Sequence, residues 1–372
     1  MDPHGVFCPN SACPATGQIG EGNINIHSRS PERYRCNVCQ KTFSARKGTP
    51  LYRRRTPQAT IALVLTLVAY GCPIVAAIEA AFGFQRRTVQ QWVDAAGEHC
   101  EQIHEHLLLK PRDLAHVQAD ELRVKTQGSI VWMATMALMV STRLWLGGAI
   151  STSRDKALIR RLVDLVRACA SPEHPLLVAT DGLITYVKAF GKAFRSKHYS
   201  GRVGAPRLIA WPQVVIGQVV KRYQRRRVVG VERRLVQGSW SRLTSLLDRT
   251  QGRGGVLNTA YIERLNATFR ARLAVLVRRS RGIARQHRRL HAGMYLVGTV
   301  YNFCCYHASL SSTTISDPSS RLTPAMAAGL RGHRWSMAEV LEYRVPPARW
   351  KPPKRRGRRS KAMQQLIDRW AA

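Results

Sequence analysis

The sequence predicts an α+β chain of several domains, and three patterns predict it. Four of the nine cysteines fall in two close pairs before residue 40. Helical apolar periodicity runs from Gln58 to His106. From Ala115 the period changes to alternation, with strand-like stretches separated by amphipathic helices. At 372 residues the chain can bury more than one core. The expected divisions are 1–50, 56–110, 114–310 with a basic β insertion around 191–255, and a C-terminal segment 311–372 ending in a basic tail.

Lys and Arg number 59 against 22 Asp and Glu, a formal charge of +37. That surplus repels itself in a compact state, and a polyanion would relieve it. Hydrophobic residues make up 45% of the chain, which excludes a basic disordered tail as the whole molecule. Nucleic acid is the first partner to consider and an anionic membrane surface the second. Two apolar stretches could imitate membrane spans. Residues 59–82 are interrupted by Tyr70-Gly71-Cys72-Pro73, and residues 130–150 by Ser141-Thr142-Arg143. No apolar leader opens the chain, so a soluble, cytoplasmic protein without membrane association is expected.

Cys8-x4-Cys13 and Cys36-x2-Cys39 frame a short, glycine-containing segment with strand-like alternation. Two close thiolate pairs held apart by a hairpin match a structural zinc ribbon, and so small a segment cannot form a core unaided. A disulfide framework is the competing explanation. The other cysteines, Cys72, Cys100, Cys169, Cys304 and Cys305, lie in helical apolar patterns as small buried hydrophobes.

Thr56-Pro57 starts a helix over 58–69; a second is expected over 73–81 and a third over 85–106, the order of a helix-turn-helix. In the third helix Val89, Trp92 and Val93 face inward, while Arg86, Arg87, Gln90 and Gln91 face outward near its start. Arg and Gln make bidentate contacts with guanine and adenine edges. A solvated amphipathic face would look the same.

Beyond Ala115, residues 116–124 read as a strand, 130–140 and 144–151 as a hairpin, 155–170 as a helix and 176–180 as a strand ending at Asp181. Three antiparallel strands, a crossover helix and a fourth strand begin a ribonuclease-H-like α/β core. A right-handed crossover lays the fourth strand parallel to and beside the first, bringing Asp120 near Asp181. Glu121 alternates to the opposite strand face and receives no role.

The stretch from Asn258 to Arg281 reads as one helix burying Ile262, Leu265, Phe269, Leu273 and Leu276. Its single acid, Glu263, stands among arginines that include Arg270. Glu263 is either a surface ion-pair partner or a metal ligand at the edge of a phosphate-binding surface. Asp120, Asp181 and Glu263 together form a candidate carboxylate triad. Phosphodiester chemistry uses such a group to hold two divalent cations roughly 4 Å apart. The paired strands expected on either side of Arg225, Arg226 and Arg227 carry either phosphate contacts or a solvated charge run. The acid-free stretch 349–361, with Arg355 and Arg356, reads as a disordered arm on the DNA backbone.

With the paired cysteines and the three-helix segment, QADEL at 118–122, ATDGL at 179–183, AYIERLN at 260–266 and TPAMAAGL at 323–330 resemble the DDE transposases of bacterial insertion sequences. The insertion-sequence-one type is the particular likeness, running from about Cys8 to about Tyr343. The resemblance implies a ribonuclease-H-like core that binds transposon ends, cuts them and joins them to target DNA with magnesium or manganese. Carried over by position, Asp120 is the first acid, Asp181 the second and Glu263 the third. Double-stranded DNA as partner, a homo-oligomer on that DNA and a place on the nucleoid go with it. Two other classes stay open: a non-catalytic DNA-binding regulator or domesticated derivative, and a hydrolytic nuclease of the same fold.

Overall fold

The computed structural model describes residues 2–371 apart from 127–128, 200, 202–203, 226, 277–285, 312–320 and 355–356, with backbone only at 125–126, 129–135 and 274. It is a mixed α and β structure in two compact units, Met1–Gln58 with Ala338–Ala372, and Ala59–Met337. This differs from the division expected of the sequence. The last 35 residues fold with the N-terminal segment, and the helical segment belongs to the same unit as the large sheet.

In the first unit β1 (Ile24–Arg29), β2 (Glu32–Cys36) and β3 (Thr42–Ser44) form an antiparallel sheet in that order. Its small core gathers Val6, Ile24, Tyr34 and Phe43 around the buried cysteines, and Trp370 completes it. Gly17 sits at φ +70, and a Cβ there would lie 2.7 Å from the carbonyl oxygen of Pro347, so the C-terminal segment approaches where only glycine leaves room.

The second unit takes in most of α1 (Gln58–Ala69), whose Ile61, Val64 and Leu65 are buried. A π-helical turn over Ile74–Glu79 runs into α2 (Ala80–Phe82), which Gly83 ends in a left-handed conformation. The regular helix expected over 73–81 is therefore π-helical in its first part. Next, α3 (Arg86–Leu108) is the longest helix among the described residues. Its first turns present polar residues, while His99, Cys100, Ile103, His104 and Leu108 are buried.

Strands β4 (Ala115–Thr126), β5 (Ser129–Met139) and β6 (Leu144–Ser151) are consecutive and antiparallel. Helix α4 (Lys156–Cys169) follows, capped by Asp155, whose side chain accepts from the Leu158 amide. It leads to β7 (Leu176–Asp181), which pairs in parallel with β4, Ala119 opposite Thr180. After α5 (Ile184–Ala193), β8 (Arg195–His198) and β9 (Arg207–Ala210) form a separate hairpin. Strands β10 (Val214–Gln224) and β11 (Arg227–Gln237) then join the main sheet, ordered β11-β10-β7-β4-β5-β6.

The stretch 191–255 is thus not an insertion as a whole. Only the β8–β9 hairpin stands apart from the main sheet. β10 lies parallel to β7, and its Val214, Val215 and Ile216 are buried. Helix α6 (Trp240–Gln251) covers Leu177, Ala179, Val215 and Val219 with Leu243, Leu246 and Leu247. Helix α7 (Ala260–Arg272) is shorter than expected. Leu273 caps it in an extended conformation, a 3-10 turn holds Ala274–Leu276, and 277–281 lie outside the described residues.

The buried α8 (His287–Thr299) continues as a π-helix through Cys304. It packs against α3 so closely that a Cβ on Gly97 would sit 2.3 Å from the oxygen of Ala292. Short α9 (Pro324–Ala327) and α10 (Met337–Glu342) precede α11 (Lys361–Trp370). The chain end is therefore not a free arm, since Leu366 and Trp370 pack into the cysteine-framed core. Among the described residues no helix is long and apolar enough to cross a membrane.

Candidate acidic cleft and cysteine cluster

The cysteine pairs converge. Cys8 Sγ lies 3.7 Å from Cys39 Sγ and Cys13 Sγ 3.8 Å from Cys36 Sγ, and all four sulfurs fall within 4.8 Å of one another. A disulfide needs about 2.05 Å, and all four thiols are free. A tetrahedron with metal–sulfur bonds of about 2.3 Å has sulfurs about 3.8 Å apart, so the four could hold zinc. Burial, with the neighbouring cysteines adding to it, pushes the Cys8 thiol well up and that of Cys13 up to about 12. At Cys39 burial works the same way. Hydrogen bonds from the Lys41 amide, Asn10, Cys8 and Cys13 outweigh it and bring the group to about 7.

The second cluster forms where β7 stops. Asp120 on β4 and Asp181 at the end of β7 stand side by side because the two strands run parallel up to Ala119 and Thr180. Asp120 turns toward α7 and accepts from Asn266 Nδ2 at 2.7 Å. Glu121 turns the other way and accepts from Tyr186 of α5 at 2.9 Å. β4 continues past the last residue of β7, and its register with β5 shifts between Asp120 and Leu122. Beyond Asp181 no β7 residue divides the two faces. The carboxylate oxygens of Asp120, Glu121 and Asp181 consequently lie within 4.8 Å of one another and could hold a metal ion. Three hard oxygen donors beside an open cleft of about 460 Å³ suit magnesium or manganese better than a soft metal.

Glu263 lines the same cleft from α7 but is not a member of that close cluster. It accepts from Thr259 Oγ1 at 2.8 Å and from Lys221 Nζ at 2.5 Å. Burial pushes its carboxyl up, yet the Lys221 and Thr259 hydrogen bonds prevail and hold it below the usual range. Asp120 behaves oppositely. Burial, then the charges of Asp181 and Glu263, lift it to about 6 against the partial relief of Arg270 and Arg154. Arg154 pairs with Glu121 and reaches Asp181 at 3.7 Å. The Tyr186 phenol is held well above its ordinary value by burial and the two aspartates, and so acts as a donor.

The polar residues of α3 divide. Arg86, Arg87 and Gln91 are exposed, whereas Gln90 is half-buried and donates to Asp94 Oδ1 at 2.9 Å. Arg225 stands exposed at the β10–β11 turn with φ +45. Arg226, Arg355 and Arg356 lie outside the described residues. Arg222 shares Glu232 with Arg234.

Sequence reasoning missed Glu121 as a cluster member, and missed Arg154 and Tyr186 altogether. Glu121 carried a signal in its adjacency to Asp120. Arg154 and Tyr186 carried none, because their partners are distant in the chain. No protein-family model matches the chain, and no curated protein matches it.

Proposed function

We propose that this protein is a DNA transposase with a ribonuclease-H-like core, a zinc ribbon and a helix-turn-helix. The single observation that carries the proposal is the carboxylate cluster. Asp120 within β4 and Asp181 at the end of the parallel β7 stand side by side, Glu121 joins them, and Glu263 faces them across a cleft in a chain of charge +37. The sheet order β6-β5-β4-β7-β10, antiparallel through the first three strands and parallel thereafter, supports the core assignment.

Divalent cations bound by these acids would activate the attacking oxygen and stabilise the departing one in phosphodiester cleavage and joining. The residues do the rest. Asp120, Glu121 and Asp181 would supply hard oxygen ligands, and Tyr186 fixes Glu121 by donating to one of its oxygens. Glu263 is oriented by Thr259 and Lys221. Arg154 and Lys221 line the cleft beside these acids and would be the cationic partners of a scissile phosphate. The exposed Arg86, Arg87 and Gln91 at the start of α3 would meet base edges, and the zinc ribbon would be structural.

A second reading draws on the ion pairs. Arg154 on Glu121 and Asp181, with Lys221 on Glu263, neutralise the acids much as a purely structural cluster would. That arrangement favours a non-catalytic DNA-binding protein. One experiment separates the two: incubation with the DNA flanking its own gene and magnesium, scored for cleaved and joined strands. The transposase produces joined products that Asp181→Asn and Glu263→Gln lack while both variants still bind DNA. A wild-type protein that binds but yields no product in magnesium or manganese overturns the proposal. Cleavage without joining assigns a hydrolytic nuclease instead.

A further inference from the structure

At about 100° per residue, α7 separates its side chains into distinct faces. Ile262, Leu265, Asn266 and Phe269 are buried beneath it. Thr259 and Glu263 flank the acidic cleft on one side. On the opposite flank Tyr261, Arg264, Thr268 and Arg272 line a second cavity of about 310 Å³. Between the two flanks the outer ridge carries Ala260, Ala267 and Ala271, all exposed and small.

The second cavity is built largely from cations, hydroxyls and rings, and among the described residues no carboxylate lines it. Arg143, in a left-handed conformation at the β5–β6 turn, lays its guanidinium over the Tyr261 ring at 4.1 Å and reaches Ser309 Oγ at 3.4 Å. Arg272 is fixed over the Tyr70 ring at 4.7 Å and donates to Cys305 Sγ at 3.3 Å. Arg264 reaches in from the exposed side. His307 accepts the Ser309 amide at Nδ1, which leaves Nε2 to carry the proton as a further donor. Burial, then Arg143 and Arg264, bring His307 down to about 4, so at neutral pH it donates without adding charge.

Three guanidiniums with no carboxylate among the described lining residues leave a strong positive potential in a partly desolvated pocket. Stacked or hydrogen-bonded arginines hold their forks in place, so they bind a tetrahedral oxyanion with little ordering cost. We propose that this pocket, lined by Arg143, Arg264, Arg272 and His307, binds a phosphate group, on a nucleic-acid strand or as a free phosphate. Its chemistry does not depend on the acidic cleft being catalytic. If both hold, a strand crossing the alanine ridge of α7 touches the two sites at once.

The test is arginine-selective modification of the full chain by phenylglyoxal, read by peptide mass spectrometry at Arg264 and Arg143, with Arg160 on α4 as the reference. Inorganic phosphate at ten times its Kd should slow modification at both pocket arginines about tenfold relative to the reference. The same protection is expected in Asp181→Asn, which separates this site from the acidic cleft, and it should fall at Arg143 in Arg264→Gln. Unphosphorylated single-stranded oligonucleotides, whose only phosphates are internal diesters, form a second arm. Protection by them identifies a strand as the source, and protection by inorganic phosphate alone identifies a free phosphate. Rates unchanged by phosphate and by oligonucleotide, or protection of Arg143 undiminished in Arg264→Gln, overturn the proposal.

Discussion

Burial beside Asp181 and Glu263 lifts the Asp120 carboxyl to about 6, so protons and divalent cations compete for it. Cation binding, followed by calorimetry, should weaken as pH falls from 7.5 through 6. The stability consequence has a definite sign. Between its ordinary value of 3.8 and about 6 the native state holds a proton that the unfolded chain has released, so this group's contribution declines as pH rises across that window. Compared with Asp120→Asn in urea without added cation, the decline should amount to roughly 1–3 kcal/mol. Equal pH profiles for the two proteins would mean that Asp120 is not perturbed. Tyr186→Phe removes the phenol that Glu121 accepts from in a buried site. Its expected cost is about 1–3 kcal/mol in the same assay, with less effect once magnesium is present.

At the scale of elements, two contacts between distant segments matter most. Trp370 at the end of α11 fills the core around the cysteines, a core with few other large side chains. Trp370→Ala should cost about 3–5 kcal/mol in that unit and, in protein loaded with zinc, speed its release to a chelator, read by a colorimetric zinc indicator. A release rate equal to wild type would show that α11 does not support the cysteine cluster. Helices α3 and α8 meet at Gly97, where a Cβ collides with the Ala292 backbone. Gly97→Ala should therefore destabilise by about 1–3 kcal/mol through overpacking, although alanine favours the helix locally. Denaturant midpoints of the two proteins provide the check.

For the whole molecule, the proposed DNA binding by a chain of formal charge +37 should depend steeply on salt. Removing the chain end would confuse two effects, because α11 also completes the cysteine-framed core. Replacing Lys354, Arg358 and Arg359 by Gln keeps α11 and tests the charge alone. Each lost phosphate contact should flatten the slope of log affinity against log salt by about 0.9. An unchanged slope in fluorescence anisotropy would take that segment off the DNA.

Sequence by itself determined what neighbours along the chain decide. The spans of α1 and α4 and of β4 through β7 follow from apolar period and caps such as Asp155. The cysteine spacing likewise pointed to a four-sulfur cluster. Tertiary structure alone decided the rest. Alternation correctly turned Glu121 away from Asp120, but it carried no information about where β7 would stop. That stop lets a carboxylate from the other side join the cluster. Strand order put β10 inside the sheet, where a basic hairpin had read as an insertion. Trp370 closes a core more than 300 residues upstream, and Arg154 and Lys221 meet acids on other strands and helices. Periodicity reports which face of its own element a residue occupies. What lies against that face depends on packing between segments that share no local signal.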